Sequence, residues 1–199
     1  MEAADLIGST QIQGRATIVG NLCNGSPAAD SVPAQIAAGA TVSITGPSGE
    51  RIEAVENIPT GPSKTSLKKG ELISAIHIPA RRQNSGDAYL RFIPRTEMDI
   101  AVVGCGVSLC LDNDIIIDAR VALGAVAPKV LLVKECADAI IGTKLDKAAL
   151  SNLSAAAENA CNPISDKRGT KEFRIDVAGV LAARTAKIAY NRAQGKNDE

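Results

Sequence analysis

The organisation of the chain is decided by one segment, Thr17-Ile18-Val19-Gly20-Asn21-Leu22-Cys23-Asn24-Gly25-Ser26-Pro27-Ala28-Ala29-Asp30. Residues 16–25 are rich in Gly and Asn and predict a loop, and Ser26-Pro27 then offers a helix N-cap and a proline at the first helical position. Loop amides and the partial positive charge of a helix start suit a phosphate or diphosphate, with Gly20 and Gly25 allowing close approach of the backbone. Asp30 would accept hydrogen bonds from a hydroxyl or a ring N–H. These residues alone leave two interpretations open, a ligand-binding loop and a capped helix after an ordinary loop.

The rest of the first part predicts short helices and strands. Glu2 to Ile7 is typical of the end of a helix that stops at Gly8-Ser9, and Pro33 is expected to divide the apolar segment before Gly39 into two helical turns. The alternating stretch Ala40 to Thr45 turns at Gly46–Gly49 and predicts a hairpin with Arg51 to Val55. A further strand is predicted from Glu71 to Pro79.

The second part predicts a sheet followed by helices. The polar, turn-rich segment Arg81 to Asp87 is the expected boundary between domains at residues 1–83 and 86–193. A short strand at Tyr89 to Ile93 precedes a long hairpin, in which Ile100 to Leu111 and Ile115 to Val126 flank the turn Asp112-Asn113-Asp114. This gives a three-stranded antiparallel sheet. Three helices are then predicted, followed by a polar tail at residues 194–199; the helices are Val130 to Ile141, Asp146 to Ala160 and Gly169 to Arg192. The predicted fold class is α+β.

Composition excludes several kinds of function. In the 199 residues, the 22 Lys and Arg equal the 22 Asp and Glu, so no charge excess directs the chain to nucleic acid or an anionic membrane. No apolar run has the length of a membrane span, and no signal-peptide pattern opens the sequence. A cytoplasmic location is therefore expected.

Metal and histidine chemistry are also disfavoured. The five cysteines form no Cys-x-x-Cys pair, so reduced thiols are expected and no metal site is predicted. His77 is the only histidine and its neighbours alternate between apolar and polar, which predicts a strand with His77 facing outward. No catalytic residue is assigned.

Several motifs resemble one known family. Thr17-Ile18-Val19-Gly20-Asn21 and Ser26-Pro27-Ala28-Ala29-Asp30 resemble its second FAD-binding signature, Thr-Ile-Gly-Gly-Asn followed by Ser-Pro-x-x-Asp. The family is the FAD-binding (medium) subunit of the molybdenum hydroxylases, the xanthine dehydrogenase and carbon monoxide dehydrogenase group. The likeness continues through the segments Gln11–Ala16, Gly61–Thr65, Gly70–Ile73, Arg95–Ala101, Ala122–Pro128 and Pro163–Gly169.

The resemblance implies a fold and a set of cofactor contacts. The fold would be the C-terminal part of a PCMH-type FAD-binding domain, followed by a domain like the C-terminal domain of the CO dehydrogenase flavoprotein, with a three-stranded antiparallel sheet and a three-helix bundle. Thr17, Ile18, Val19, Gly20 and Asn21 would hold the FAD diphosphate and ribityl oxygens, mostly through backbone N–H groups, with Ser26 beside them. Asp30 would bond a hydroxyl or ring edge. Ile73 would pack at the isoalloxazine, and Arg91 would lie near its pyrimidine side.

The resemblance also implies an electron-transfer role. A large subunit with molybdopterin would oxidise the substrate, and a small subunit with [2Fe-2S] clusters would pass electrons to FAD and on to NAD, a quinone or oxygen. An alternative stays open, a non-catalytic relative or truncated subunit that keeps the fold and subunit contacts without FAD.

Two departures from the family favour that alternative. Val19 replaces a glycine and would be strained at positive φ, and nothing before Gln11 resembles the family's earlier glycine-rich loop, which lies in an N-terminal FAD subdomain. For Arg95 and Asp99, a structural ion pair is favoured over a contact at the flavin edge. Asp166 and Arg168 are expected to act as caps or helix-joining contacts.

Overall fold

The first part of the chain forms short helices around two small sheets. The computed structural model describes residues 1–95 and 98–196; two residues of the Arg95–Ala101 motif and the end of the predicted polar tail, residues 197–199, lie outside the described residues. Strands β1 (Thr41–Gly46), β2 (Gly49–Ala54) and β5 (Leu72–His77) form an antiparallel sheet in the order β2-β1-β5, and β3 (Pro59–Gly61) pairs with β4 (Lys64–Thr65). The elements are α1 (Glu2–Asp5), α2 (Thr10–Gln13), α3 (Ile18–Cys23), α4 (Ser31–Ala37), β1 (Thr41–Gly46), β2 (Gly49–Ala54), a 3-10 turn (Val55–Asn57), β3 (Pro59–Gly61), β4 (Lys64–Thr65) and β5 (Leu72–His77).

The second part is an antiparallel sheet covered by helices. Its strands pair in the order β6 (Ser85–Phe92), β7 (Val103–Asp112), β8 (Ile115–Gly124) and β9 (Leu131–Leu132). The β7–β8 turn has Asn113 and Asp114 at φ 49° and 65°, as a two-residue hairpin turn requires. Side chains of Asp146 and Thr170 cap the two long helices by accepting from Ala149 and Phe173 amides. The elements are β6 (Ser85–Phe92), β7 (Val103–Asp112), β8 (Ile115–Gly124), β9 (Leu131–Leu132), α5 (Lys134–Asp138), α6 (Lys147–Ala160) and α7 (Lys171–Ala193).

The α+β class, the first hairpin, the long β7–β8 hairpin and the three C-terminal helices are confirmed. Three details differ from the sequence-based expectation. The sheet has a fourth strand, because Leu131–Leu132 pairs with β8 where a helix was predicted, and α5 is correspondingly shorter. Pro33 lies in the first turn of α4 and does not divide it, since a first-turn amide has no intrahelical acceptor to lose. Strand β6 begins at Ser85, inside the expected linker.

Helix α4 joins the two parts of the molecule. It packs on β7 and β8, on the face of the sheet opposite α7. A Cβ at Gly106 would lie 2.7 Å from the Pro33 carbonyl oxygen, so only glycine permits this approach. One buried cluster fills the second part, and the other combines residues of the first part with Ala122 and Val130. The expected boundary between residues 1–83 and 86–193 stays a prediction.

None of the helices in the described residues has both the length and the apolarity that crossing a bilayer requires.

Candidate functional site

The segment predicted to be a glycine-rich loop is helical from Ile18. Thr17 is the N-cap of α3, and its Oγ1 accepts a hydrogen bond of 2.9 Å from the Gly20 amide. The loop prediction is therefore wrong, because a threonine cap outweighs the local Gly and Asn content, and buried Leu22 anchors the turn. Thr17, Ile18 and Gly20 remain exposed. The Ile18 and Val19 amides have no acceptor among the described residues, as expected in a first helical turn.

Val19 fits its position without strain. It has helical backbone geometry and is absent from the non-glycine residues with positive φ. Its half-buried side chain packs against the core of the first part. The expected strain at Val19 is therefore wrong, because the family's glycine position is a helical one here.

Gly25 and Ser26 shape a turn after α3. Gly25 has φ +62°, and a Cβ there would lie 2.8 Å from the Lys64 amide nitrogen, so the chain itself requires glycine at this position. The Ser26 hydroxyl accepts from the Ala28 amide at 3.2 Å, within a turn. Ser26 is thus no helix N-cap, and the predicted helix start at Ser26-Pro27 is wrong; its predicted FAD contact stays a prediction.

Asn21 connects α3 to α4. Its Oδ1 accepts hydrogen bonds from the Ser31 amide at 3.2 Å and from the Ser31 hydroxyl at 2.6 Å. Gln35 donates to the same hydroxyl at 3.0 Å. The buried side chains of Ser31 and Gln35 were not predicted as part of the site. Asn21 therefore caps α4 from outside that helix, and this contact fixes α3 beside Asp30.

Asp30 and Arg91, predicted as separate cofactor contacts, pair with each other. Arg91 Nη1 lies 2.9 Å from Asp30 Oδ2, and the two side chains are only 5% and 12% exposed. Arg91 Nη1 also donates to the Leu6 carbonyl at 2.7 Å, and the Tyr89 hydroxyl lies 3.4 Å from Asp30 Oδ1. Burial raises the pKa of Asp30 above its ordinary value, and Arg91 and Tyr89 oppose that shift.

Tyr89 was not predicted as part of the site. The signal was present, because residues two apart on a strand point to the same face, so Tyr89 and Arg91 share one side of β6. No sequence pattern indicated that Asp30, 59 residues earlier, would lie beside Tyr89.

Ile73 lies on β5, next to α3. Its side chain is buried in the core of the first part, so it does not itself extend towards a ring at the surface. Strand β5 pairs with β1 and is an outer strand of its sheet, so the backbone of its other edge is left open among the described residues. The part of Ile73 that lies beside residues 17–21 is therefore the backbone of β5, and not the Ile73 side chain.

Seven of the nine candidate residues fall into two groups, and the other two lie between them: Asn21 bonds to the start of α4, and Ser26 lies in the turn after α3. One group is the surface formed by Thr17, Ile18, Val19, Gly20 and the edge of β5, which we call the α3 surface. The other is the buried cluster of Asp30, Tyr89 and Arg91, which we call the Asp30 cluster. A cleft of about 380 Å³ lies at the other end of β6, lined in part by Arg81, Arg82 and Ser85, and contains none of the candidate residues.

The remaining expectations concern residues outside these groups. Asp99 binds Arg95 at 3.2 Å and Arg168 at 2.9 Å, which confirms a structural ion pair and holds the pKa of Asp99 low. Asp166 accepts from Arg174 of α7 at 2.8 Å, a contact between a loop and a helix. His77 is exposed, as expected, and lies 2.6 Å from the Ser43 hydroxyl.

The cysteines agree with reduced thiols. All five are free, and burial raises the pKa of Cys105 and of Cys136 to about 12. No group of three or more possible metal ligands occurs in the part of the chain that the structure describes.

Comparison with known proteins gives matches along nearly the whole chain. Residues 1–81 match the family described as the FAD binding domain in molybdopterin dehydrogenase, and residues 88–189 match the CO dehydrogenase flavoprotein C-terminal domain. The carbon monoxide dehydrogenase medium chain of Afipia carboxidovorans is 36% identical over 97% of this chain and 67% of its own length. The xanthine dehydrogenase FAD-binding subunit of Escherichia coli O157:H7 is 31% identical over 98% of this chain and 67% of its own length.

Solved structures show the same fold. CO dehydrogenase from Oligotropha carboxidovorans superimposes with a TM-score of 0.90 at 36% identity, over 94% of this chain and 65% of that one. CO dehydrogenase from Hydrogenophaga pseudoflava gives 0.92 at 31% identity, over 96% of this chain and 66% of that one. This chain spans about two thirds of the length of the relatives it matches.

Proposed function

Because this chain belongs to the FAD-binding medium subunits of the carbon monoxide and xanthine dehydrogenase family, we propose that it is an FAD-binding electron-transfer subunit of a molybdopterin-dependent hydroxylase. Membership confirms the family resemblance and the expectation of FAD as its cofactor. The single observation that carries the proposal is the α3 surface, which leaves backbone groups open inside the region that matches the FAD-binding family.

The donors on this surface suit the oxygen-rich parts of FAD. The Ile18 and Val19 amides lack acceptors among the described residues, and phosphate oxygens accept from such amides. In the Asp30 cluster, Arg91 Nε is buried with no hydrogen-bond partner among the described residues, so an ordered acceptor close to it would satisfy a costly donor. We assign Thr17 to Asn21 and Ser26 to the diphosphate and ribityl chain, the backbone at Ile73 to the isoalloxazine edge, and Asp30 with Arg91 to polar groups of the flavin.

The chain's own residues would bind and orient the cofactor. Bound FAD supplies the electron-carrying chemistry, and nothing among the described residues substitutes for it. The exposed α3 surface would hold the diphosphate, while the buried Asp30 cluster would fix the orientation of a hydrogen-bonding carboxylate. No side chain of this chain is assigned to substrate oxidation.

The proposed complex follows from the names of the relatives, which are described as medium chains or subunits. A large subunit with molybdopterin and a small subunit with [2Fe-2S] clusters would be the partners, and electrons would leave FAD for NAD, a quinone or oxygen. The cytoplasmic location stays a prediction.

The alternative is a non-catalytic relative or truncated subunit that keeps the fold without binding FAD. Val19 was expected to be strained, and it is not. The two functions differ in flavin content, which is measured by releasing flavin from the protein purified with its partner subunits. Fluorescent FAD, equimolar with this chain, is expected. A colourless protein that stays colourless with added FAD would establish the alternative.

A variant shows whether FAD lies on the α3 surface. Ile18→Asp places a carboxylate in the first turn of α3, where it stabilises the helix but repels a diphosphate. Ile18 is 40% exposed, so folding should persist, whereas the FAD dissociation constant should rise at least about tenfold. Ile52→Asp is the matched control, because Ile52 is 71% exposed on β2 and belongs to neither group of candidate residues. Equal FAD binding by both variants would place the cofactor elsewhere.

A further inference from the structure

Asp30 lies where three separate segments of the chain meet. It ends the turn before α4, and its carboxylate faces Arg91 and Tyr89 of β6. The third segment contributes the Leu6 carbonyl, which binds the same Arg91 nitrogen as Asp30. Asp30 belongs to the region that matches the FAD-binding family, whereas Tyr89 and Arg91 belong to the region that matches the C-terminal domain family. The surroundings of Asp30 are therefore built by both regions.

The absence of a side chain at Gly104 leaves space for the Tyr89 hydroxyl. The side chain is 5% exposed, and a Cβ at Gly104 of β7 would lie 2.8 Å from the hydroxyl oxygen. Any residue other than glycine at position 104 would displace the ring, so the sheet is shaped to bring this hydroxyl to Asp30. A buried hydroxyl requires an acceptor, and the Asp30 carboxylate is the one it faces.

The two contacts restrain different oxygens of one carboxylate. Arg91 holds Oδ2 at 2.9 Å, and the Tyr89 hydroxyl faces Oδ1 at 3.4 Å. Arg91 sets the position of Oδ2, and the longer Tyr89 contact limits how far the carboxylate rotates about its last bond. Oδ1 keeps capacity for a second donor, since each carboxylate oxygen accepts two hydrogen bonds.

We infer that Tyr89 is a positioning residue for FAD binding, which orients the Asp30 carboxylate for a donor of the cofactor. The inference rests on the proposed function. It assigns an indirect part of the FAD site to Tyr89 of residues 88–189, which acts on the cofactor through the Asp30 carboxylate. Tyr89 would not touch FAD itself.

The test is Tyr89→Phe, which removes the hydroxyl and keeps the ring. FAD affinity is measured by fluorescence titration of the flavin-free protein in its complex. The dissociation constant should rise about fivefold, the effect of one hydrogen bond of about 1 kcal/mol. Tyr190→Phe is the matched control, because Tyr190 is the chain's other tyrosine and its hydroxyl donates to the Asp114 carbonyl at 2.7 Å, outside the Asp30 cluster. The control should bind FAD as the wild type does.

Two further measurements separate positioning from a general structural role. In an Asp30→Asn background, Tyr89→Phe should have no further effect on FAD affinity, since its action passes through the carboxylate. In the flavin-free protein, carbon-detected NMR should show a higher pKa of Asp30 in Tyr89→Phe, because the lost hydroxyl stabilises the ionised carboxylate. The charged and titratable groups that face it there are Arg91 and Tyr89, with Glu2 beside the Tyr89 amide.

The outcomes are distinguishable. A wild-type complex without FAD contradicts the proposed function. A complex that binds FAD, but in which Tyr89→Phe matches Tyr190→Phe in FAD affinity and in Asp30 titration, overturns the role of Tyr89 alone. The same holds if Tyr89→Phe weakens FAD equally in the presence and absence of the Asp30 carboxylate.

Discussion

The α3 surface and the Asp30 cluster belong to one proposed cofactor site, but they differ in solvent exposure and in how far their polar groups are already paired. The α3 surface is exposed, short of hydrogen-bond acceptors and made mostly of backbone. The Asp30 cluster is buried, and its charged groups are already paired inside the protein. The α3 surface can gain hydrogen bonds from a ligand. The Asp30 cluster can gain few, and its side chains are expected to keep the same positions when a ligand binds.

This difference predicts that substitutions in the two groups have different effects on FAD affinity and on folding. Exposed side chains of the α3 surface, in contrast to the half-buried Val19, should affect affinity for FAD with little effect on folding, because water replaces the ligand when it is absent. Residues of the Asp30 cluster should affect folding strongly, because an unpaired buried charge has no water to replace its partner.

The largest expected effect comes from breaking the buried pair. Arg91→Ala leaves Asp30 without its cation and should lower the free energy of unfolding by about 3 kcal/mol, as measured by denaturant titration. Arg95→Ala is the matched control, because Arg95 is 69% exposed in its pair with Asp99. It should lower stability by about 0.5 kcal/mol. Equal losses in the two variants would show that the Asp30 cluster is no more buried in solution than a surface pair.

The next effect concerns the turn that supports the α3 surface. Gly25→Ala combines a positive φ with a contact of 2.8 Å to the Lys64 nitrogen, and should cost about 2 to 3 kcal/mol of unfolding free energy. Gly142→Ala is the control, since Gly142 has φ +82° but no atom within 4 Å of the added Cβ. It should cost only about 1 kcal/mol, from backbone strain alone. A Gly25→Ala variant as stable as Gly142→Ala would contradict the tight packing of this turn.

Val19→Gly gives a smaller effect and tests the helical α3 directly. Glycine restores the family's residue but removes core packing and lowers helix propensity, so stability should fall by about 1 kcal/mol. FAD affinity should stay within about twofold of the wild type, because the Val19 side chain packs into the protein. A tenfold gain in affinity would mean that Val19 obstructs the cofactor.

The smallest effect is a dependence of stability on pH outside both groups. Hydrogen bonds from Arg51 and from the Lys68 amide lower the pKa of Glu71 from 4.5 to about 2. A depressed pKa in the folded protein gives stability that is present above pH 4.5 and is lost as pH falls through about 2. Unfolding midpoints of the wild type should decrease across that window more steeply than those of Glu71→Gln. Parallel curves for the wild type and Glu71→Gln would show that Glu71 does not contribute to the pH dependence of stability.

The regular parts of the fold were predictable because their signals are local. The β7–β8 hairpin follows from two apolar runs around Asp112-Asn113-Asp114. The helices predicted at Asp146 to Ala160 and Gly169 to Arg192 lie within two residues of the observed α6 and α7. Helix α3 was missed because its Gly and Asn residues indicate a loop, while its cap is a single threonine. Strand β9 was missed because two residues carry no periodic pattern.

The candidate site was predictable as a set of residues but not as an arrangement. Motif resemblance identified Asp30 and Arg91, yet their pairing across 61 residues depends on how α4 packs against the second sheet. Tyr89 follows from the same packing and from the space at Gly104. Tertiary contacts of this kind have no signature in one sequence.

Hydrogen exchange with and without FAD tests the central claim most directly, because it reports on the α3 surface and the Asp30 cluster in one experiment. FAD should slow exchange at the Ile18 and Val19 amides and along the open edge of β5, which are the groups that lack protein partners. The Tyr89 amide donates to the Glu2 carboxylate and not to β7, so the amides on either side of it, Ala88 and Leu90, which pair with Val107 and Cys105 of β7, are the ones that should be slow in both states. Protection by FAD confined to β6, with no change in α3, would contradict the account.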